Sequence, residues 1–273
     1  MKQFNLDEYK QNGFFAPLEI FSQHEIQAFR KRFEAYEAEN DGWYELSKGQ
    51  KLYLLQTWVS ELATNTKILN IIEEILGKNI LVWGTSLFVK EPKDQTFVSW
   101  HQDSTYWGLT PPEVVTAWIA LSPSTLQSGC MKMIPGSQTW GQIFHEDSSN
   151  PKNLLTRGQK IKTSIDESQA VNIELKPGEI SLHHIRTTHA SGKNLTKDRR
   201  IGLAIRYVAP QVKQLNSKND SAWLVRGEDR FCNFIHETPP SKDMDISAIT
   251  EHSRIMQLRQ SVLYKDSKKA ENK

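Results

Sequence analysis

The pattern of apolar residues changes at Gly77, and this change limits the possible folds more than any other feature. Before Gly77, a capping sequence with Ser22 and Glu25 begins one amphipathic helix, and residues 66–76 form a second helical stretch. After Gly77, short runs rich in β-forming residues alternate with turn signals such as Lys176-Pro177-Gly178. Helices followed by many short strands predict a mainly β fold, a sandwich or barrel backed by N-terminal helices, rather than alternating βαβ units.

The length of 273 residues favours one domain over two independent ones. In chain order, the expected parts are an N-terminal helical part (1–78), a β core (79–210) with an inserted loop (145–170), and a C-terminal loop or lid (211–242) with a helix to about residue 264 and a solvated tail (265–273). The predicted strands cover residues 80–83, 86–89, 97–100, 114–121, 131–134, 171–175, 180–183 and 201–208.

Composition narrows the classes of partner. The formal net charge is only +2, and the basic residues are scattered among acidic ones, which argues against nucleic acid. No stretch is long and apolar enough for a membrane span. The two cysteines and a start, MKQFNLDEYK, without the apolar core of a signal peptide predict a cytoplasmic, reduced protein. Eight tryptophans would suit the wall of a small-molecule pocket.

His101 and Asp103 are candidate metal ligands. On a strand or at its end, positions i and i+2 project from the same face and could meet one ion. The alternative is a hydrogen-bonded polar pair near a strand end. A second imidazole would complete a two-histidine, one-carboxylate site on ferrous iron. The other histidines are His24, His145, His183, His184, His189, His236 and His252.

The predicted strand RRIGLAIRY separates two kinds of residue by parity. Arg200, Gly202, Ala204 and Arg206 share one face, and the bulky apolar residues share the other. Small residues beside a buried arginine would leave a cavity with a guanidinium at one end, which suits bidentate capture of a small carboxylate. The alternative is that Arg199 and Arg200 begin an exposed edge strand.

Several further motifs stand in and beside the predicted β core: the stretch 115–138, Lys176-Pro177-Gly178-Glu179, His189-Ala190-Ser191, Asn194 and Thr196. Together with His101-Gln102-Asp103 and with Arg200, eleven residues after His189, they resemble the phytanoyl-CoA dioxygenase family of iron(II)- and 2-oxoglutarate-dependent oxygenases. The similarity covers most of residues 80–210 and is weaker in the helices before them and in residues 224–229 after them. This resemblance implies a double-stranded β-helix, a cupin-like jelly roll, as the β core.

The resemblance also implies roles for individual residues. His101, Asp103 and His189 would bind Fe(II). Arg200 and Ser191 would hold the distal carboxylate of the cosubstrate 2-oxoglutarate, with Trp118 and Gln102 beside it. The implied reaction uses O2 and releases succinate and CO2. Relatives that halogenate carry a small residue at the position of Asp103, so the carboxylate favours hydroxylation or another two-electron oxidation. His183 and His184 are expected to bond nearby backbone, with a supporting role left open for His184.

The substrate-binding residues are weaker expectations. Thr105, Tyr106 and Trp107 follow the ligands and could begin the substrate wall, although core packing explains Trp107 equally well. Arg206 could bind an acidic group of the substrate or pair with a nearby carboxylate. Trp223 and Arg226, in the predicted lid, could close over the ligand or belong to an ordinary surface loop.

Three functions remain in competition. The first is hydroxylation of a free small molecule such as an amino acid or a biosynthetic intermediate. The second uses the same oxidative chemistry for desaturation, cyclisation or epoxidation in natural-product biosynthesis. The third is a metal-binding jelly roll without catalysis, which the predicted arginine clamp disfavours. A substrate carried on coenzyme A or a carrier protein is not favoured, because only scattered lysines, Lys48, Lys51 and those of 152–162, offer a basic landing area. The sequence leaves the oligomeric state open.

Overall fold

The computed structural model describes residues 3–40, 49–155 and 157–263. The chain forms two compact units. The first comprises Met1–Gly42, Leu87–Thr105 and Val115–Ala204. The second comprises Trp43–Ser86, Tyr106–Val114 and Ile205–Lys273. The expectation of a single oxygenase domain stays a prediction, and the expected tail at 265–273 lies outside the described residues.

Helices and strands alternate irregularly along the chain. The helices are α1 Leu6–Asn12, α2 Gln23–Glu39, α3 Thr57–Ala63, α4 Thr66–Leu76, α5 Ser104–Trp107 and α6 Ile246–Leu263, with 3-10 turns at Leu52–Leu54, Ser137–Trp140 and Glu167–Gln169. The strands are β1 Phe14–Glu19, β2 Ile80–Lys90, β3 Val98–His101, β4 Leu109–Thr110, β5 Val114–Ala120, β6 Met131–Met133, β7 His145–Glu146, β8 Lys160–Ile161, β9 Val171–Ile173, β10 Glu179–His184, β11 His189–Ser191, β12 Arg200–Val208, β13 Lys213–Gln214, β14 Ser221–Arg226 and β15 Ile235–His236. No helix of the described chain is long and apolar enough to cross a membrane.

The first unit is built on two sheets. In one of them β1, β10, β5, β12 and the end of β2 are neighbours in that order. The other has the order β3, β11, β6, β9, and its neighbouring strands are antiparallel. The two sheets share a core, because Trp118 and Ala204 from the first cluster with Met131, Met133 and Ile173 from the second. Strands whose inward residues meet in this way form a sandwich.

The second unit places β2, β14 and β15 side by side, with the last residues of β12 next to β2. A buried ion pair fixes its interior. The ammonium group of Lys51, which has no exposed surface, lies 2.5 Å from Oε1 of Glu237 and donates to the carbonyl of Ser221 at 2.8 Å. Glu237 also accepts hydrogen bonds from the hydroxyls of Tyr53 and Ser221. Lys51 therefore cannot belong to a basic landing area, and Lys48 lies outside the described residues.

The mainly β prediction and the two predicted helices are confirmed. The hydroxyl of Ser22 caps α2 by accepting from the backbone N–H of Glu25, and the Glu25 carboxylate accepts from the backbone N–H of Ser22. α4 ends at Gly77, which has a positive φ of 87°. The break predicted between residues 83 and 86 is wrong, because β2 continues through Gly84. Gly84 therefore does not end the strand, and a Cβ at this position would lie 3.4 Å from the guanidinium of Arg259.

Three segments predicted without strands contain them. β1 lies within the expected helical part and pairs with β10. β7 and β8 pair within the expected loop at 145–170. The expected lid contains β14, which pairs with β2. Pairing with distant strands stabilises these segments, and a local sequence pattern does not reveal such pairing.

Candidate metal centre

His101, Asp103 and His189 come together in the first unit. Their ligand atoms all lie within 4.8 Å of one another. His101 ends β3, Asp103 follows two residues later, and His189 of β11 is the direct antiparallel partner of His101. Because directly opposite residues share one face of a sheet, the two imidazoles meet with ring centroids 4.1 Å apart. Nε2 of His101 lies 3.4 Å from Oδ1 of Asp103.

The backbone fixes the tautomer of both histidines. Nδ1 of His101 lies 2.9 Å from the carbonyl oxygen of Ser99, and Nδ1 of His189 lies 2.9 Å from that of Thr187. A carbonyl only accepts hydrogen bonds, so Nδ1 carries the proton and Nε2 keeps a lone pair. This is the arrangement in which histidine binds a metal through Nε2 while its other nitrogen is held by the protein.

The charges also suit a divalent cation. Burial lowers the pKa of His189 well below its usual value, with the neighbouring His101 as a further cause, so the ring is neutral at pH 7. Burial raises the pKa of Asp103, but its contacts with His101 and His183 outweigh burial and hold that pKa well below the usual range. Two imidazoles and one carboxylate are the donor set that ferrous oxygenases use. The residues therefore fit such a metal.

Arg200 is a buried cation for which the described chain offers no compensating charge, and it lies in the same unit as the three candidate ligands. It is 1% exposed, and its guanidinium lies 5.2 Å from the indole ring of Trp118. Its Nε has no hydrogen-bond partner, and within the described chain no carboxylate pairs with it. Burial lowers its pKa to about 10, which still leaves it charged at neutral pH. An isolated buried charge is costly, so this position calls for an anion.

A side chain fills the space beside Arg200 where the sequence predicted a cavity over small residues. The indole of Trp118 occupies the room above Gly202, where an added Cβ would lie 1.8 Å from Cζ2 of the ring. β12 is buried along its whole length, so the edge-strand alternative for Arg200 is wrong. Arg199 instead makes ion pairs with Glu37 and Glu91.

Ser191 contacts a buried lysine that no sequence pattern indicated. The hydroxyl of Ser191 is 2.7 Å from Nζ of Lys90, a side chain with no exposed surface. Nζ also donates to the carbonyl of Gly192. In the sequence, Lys90 stands at the polar end of a strand, FVKEP, where a lysine is normally solvated. No local signal distinguishes it there.

Gln102 has a structural role in place of the expected cosubstrate contact. Its side-chain nitrogen donates to the carbonyls of Gly141 and Arg186, both at 2.9 Å. Its side-chain oxygen accepts from the backbone of Ile143 at 2.9 Å and from the side chain of Gln142 at 3.2 Å. Both donors and both acceptor positions of the amide are therefore used within the protein, and none remains for a ligand.

His145, at the start of the predicted inserted loop, was also missed. Its Nε2 accepts a hydrogen bond from the backbone N–H of Gln102 at 2.9 Å, and its Nδ1 lies 2.8 Å from the carbonyl of Ile143. The segment 141–146 therefore holds the residue between the two candidate ligands, His101 and Asp103. The spacing of 43 residues between His145 and Gln102 carries no local pattern.

His183 lies beside the carboxylate of Asp103, contrary to the expected backbone role. Its Nε2 is 3.6 Å from Oδ2 of Asp103, and its ring centroid is 4.8 Å from that of His189. Its Nδ1 has no partner within the described residues. His184 does contact the backbone as expected, since its Nδ1 accepts from the N–H of Arg186 at 3.1 Å.

The expected substrate residues fall into both units. In the first, the hydroxyl of Thr105 lies 2.9 Å from Nδ1 of His145 and accepts from Gln142. In the second, Trp107 packs against Trp83 with ring centroids 5.1 Å apart and lines a cavity with Asp220, Gln214 and Arg259. The side chain of Tyr106 lies outside the described part of the structure.

The predicted loop position of Trp223 and Arg226 is wrong, whereas a substrate role of Arg206 stays a prediction. Arg206 is stacked on Trp107 at 4.8 Å and donates to Ser86 at 2.9 Å. Trp223 and Arg226 belong to the paired strand β14 and not to a lid loop. The ring of Trp223 stacks on Tyr53 at 5.8 Å. Arg226 forms an ion pair with Glu73 at 2.8 Å and donates to Asn70. Pairing within the sheet prevents these two residues from closing over a ligand as a loop would.

Comparison with known proteins adds independent evidence. A family model described as phytanoyl-CoA dioxygenase (PhyH) matches residues 9–202. A probable alpha-ketoglutarate-dependent hypophosphite dioxygenase of Stutzerimonas stutzeri is 28% identical over 153 residues, which are 55% of this chain and 53% of that protein. A phytanoyl-CoA dioxygenase domain-containing protein 1 homolog of Caenorhabditis elegans is 26% identical over 193 residues, 66% of this chain and 64% of that protein. The chain thus aligns with about half to two thirds of the length of these relatives.

A solved structure supports the fold over nearly the whole chain. The apo form of ThoJ, described as a non-heme monooxygenase, is 29% identical, covers 95% of this chain and 97% of its own, and superposes with a TM-score of 0.85. The predicted jelly-roll architecture is therefore confirmed.

Proposed function

Because the chain belongs to the phytanoyl-CoA dioxygenase family, we propose that it is an Fe(II)- and 2-oxoglutarate-dependent dioxygenase that hydroxylates a small molecule. The observation that carries the proposal is the combination of three converging metal donors with the buried, uncompensated Arg200 in one unit. A metal site of purely structural type needs no second anion site, so this combination disfavours a metal-binding protein without catalysis.

In the proposal, His101, Asp103 and His189 hold Fe(II). Arg200 and Ser191 hold the distal carboxylate of 2-oxoglutarate, and Trp118 forms a wall beside them. With O2, bound iron and 2-oxoglutarate supply a two-electron oxidant, and the cosubstrate leaves as succinate and CO2.

The protein's own contribution is placement and exclusion of water. The two Nδ1 hydrogen bonds lock both imidazoles, and Gln102 and His145 hold the backbone between the ligands. Trp118, 2% exposed, shields Arg200 and so keeps its attraction for a carboxylate strong. Asp103 provides the carboxylate that favours hydroxylation over halogenation.

The target of the oxidant is proposed only as a class: a free amino acid or biosynthetic intermediate. Desaturation, cyclisation and epoxidation use the same residues and differ in the pose of the substrate. A cytoplasmic location remains part of the proposal, since two free cysteines, Cys130 and Cys232, suit a reducing compartment.

Anaerobic titration tests the proposal. Fe(II) and 2-oxoglutarate added to the protein should give the weak visible charge-transfer band of a chelated 2-oxo acid. Asp103→Ala should lose Fe(II) affinity and the band, while Asp147→Ala, a change at an exposed aspartate of the same unit, should keep both. Absence of the band and of 2-oxoglutarate binding in the parent would refute the proposal. Incubation of the active protein with metabolite extract, followed by mass spectrometry, then identifies the substrate by gain of oxygen or loss of two hydrogens.

A further inference from the structure

The environment of Lys90 points to a second cation in the cosubstrate site. Its side chain is completely buried, yet within the described chain no carboxylate lies within ion-pair distance of it. Within the described chain Nζ has two acceptors, the hydroxyl of Ser191 and the carbonyl of Gly192. An ammonium group has three N–H donors, whereas a neutral amine has two. The contacts within the protein therefore satisfy the neutral amine and leave the third donor of the ammonium without an acceptor.

Ser191 links Lys90 to the site of Arg200. When the Ser191 oxygen accepts from Lys90, its own hydrogen is free to donate to another acceptor. Nε of Arg200 likewise has no acceptor within the described residues. Ser191 accepts from Lys90, and the charge of Arg200 acts on Lys90, so both groups lie near Nζ. Each has a donor without an acceptor in the described chain, which fits an incoming carboxylate.

The charged groups around Lys90 decide its protonation state. Burial, followed by the positive charge of Arg200, lowers the pKa of Lys90 to about 6, while Asp94 and Cys130 act in the opposite direction. At pH 7.5 the amine is therefore mostly neutral. A carboxylate bound at Arg200 removes part of the repulsion and adds an attraction, and both effects favour the ammonium form.

We propose that Lys90 takes up a proton from solvent when the distal carboxylate of 2-oxoglutarate binds at Arg200 and Ser191. The protonated Lys90 then acts as a second cation for the dianionic cosubstrate. This inference rests on the proposed function. It adds a residue and a linkage that favours dicarboxylates over 2-oxo acids without a distal carboxylate. No covalent bond changes; one proton moves from solvent to Nζ.

Calorimetry of the Fe(II)-loaded protein under argon tests the inference. 2-Oxoglutarate is titrated at pH 7.5 in phosphate and in Tris, whose different ionisation enthalpies reveal the number of protons exchanged. The parent should take up about one proton per ligand, and its Kd should rise by up to about tenfold from pH 7.5 to 8.5. 2-Oxopentanoate, which lacks the distal carboxylate, should bind without proton uptake.

Variants separate the charge of Lys90 from its hydrogen bonds. Lys90→Gln keeps N–H donors for Ser191 and Gly192 but cannot be protonated, so proton uptake should disappear and the Kd should lose its pH dependence. Lys90→Met removes the donors as well and should weaken binding by about 10- to 100-fold, as expected for loss of a hydrogen bond to a charged group. Lys160→Met, a change at a half-exposed lysine of the same unit, should behave like the parent.

The outcomes are distinguishable. Binding of 2-oxoglutarate by the parent without proton uptake, or equal uptake in Lys90→Gln, overturns the role of Lys90 and leaves the proposed function standing. Absence of 2-oxoglutarate binding in the parent overturns both. A purely structural lysine would lower Tm in the variants but leave the Kd and the proton count unchanged. If Lys90→Met does not fold, the comparison of the parent with Lys90→Gln still decides the question, and binding by the parent without proton uptake overturns the role of Lys90 even without variants.

Discussion

Replacing Gly202 by alanine should disturb the proposed cosubstrate site through Trp118. The new Cβ would lie 1.8 Å from Cζ2, 2.3 Å from Cε2 and 2.4 Å from Cη2 of the indole. Carbon atoms in contact are about 3.5–4.0 Å apart, so the ring must retreat by roughly 2 Å. Trp118 is only 2% exposed, and a packed interior yields poorly to such a movement.

The expected cost is that of overpacking a core. Such changes destabilise by about 1–3 kcal/mol, and the depth of this overlap places Gly202→Ala near the upper end. For a chain of this size that corresponds to a decrease in Tm of roughly 4–12 °C. The indole also faces Arg200 at 5.2 Å, an interaction worth up to about 2 kcal/mol away from water. Its misalignment should raise the Kd for 2-oxoglutarate by about tenfold.

Thermal unfolding and anaerobic titration with 2-oxoglutarate measure both effects. Phenylalanine lacks the outer ring atoms that the new Cβ would overlap, so Gly202→Ala should cost much less in a Trp118→Phe background. Gly192→Ala is the control for stability, because nothing lies within 4 Å of its added Cβ. A Gly202→Ala protein with the parent's Tm and affinity would refute the packing described for Trp118.

Three further predictions concern stability. Lys51→Met should lower the free energy of unfolding in urea by about 3–5 kcal/mol, because it leaves the carboxylate of Glu237 buried without its cation. Adding Glu237→Gln to the same chain should recover part of this loss. A loss below about 1 kcal/mol in Lys51→Met would contradict the prediction. Burial lowers the pKa of His145 and His252 in the folded protein. The unfolded chain therefore binds more protons than the folded chain at low pH, and the free energy of unfolding should fall as pH decreases below about 6.5. His252→Gln should flatten that dependence, and an unchanged slope would assign it to other groups. Adding Fe(II) anaerobically should raise Tm and a chelator should reverse the rise, with Asp103→Ala insensitive to both; an equal rise in that variant would place the metal elsewhere.

Local patterns predicted the parts of the fold that depend on near neighbours in the sequence. The reciprocal cap of Ser22 and Glu25 lies within one turn, so the start of α2 could be recognised directly. The parity of β12 placed Arg200 and Gly202 on one face, although not the ring that fills the space between them. β1 was not predicted, because it is stabilised by pairing with β10, more than 150 residues away.

The candidate site likewise contains residues that a local sequence pattern indicates and residues that it does not. Positions 101 and 103 carry a spacing that points to a shared ion, while Lys90 and His145 carry none. Lys90 is defined by burial against Ser191, and His145 by a bond to the backbone of Gln102. Gln102 shows the opposite error: a polar residue between two ligands was expected to face the site, but its amide is used entirely by the segment 141–143 and by residue 186.

Because His101 and His189 are direct partners on neighbouring strands, metal binding by this candidate site depends on the register between β3 and β11. A slip of one residue between β3 and β11 would turn one imidazole to the opposite face of the sheet, since side chains alternate along a strand. His189 also pairs with Met133, so the same slip would disturb the packing on its other side. A refolded sample could therefore be graded by stoichiometric metal titration: the fraction of chains that bind tightly would count those in which the two strands found their correct alignment.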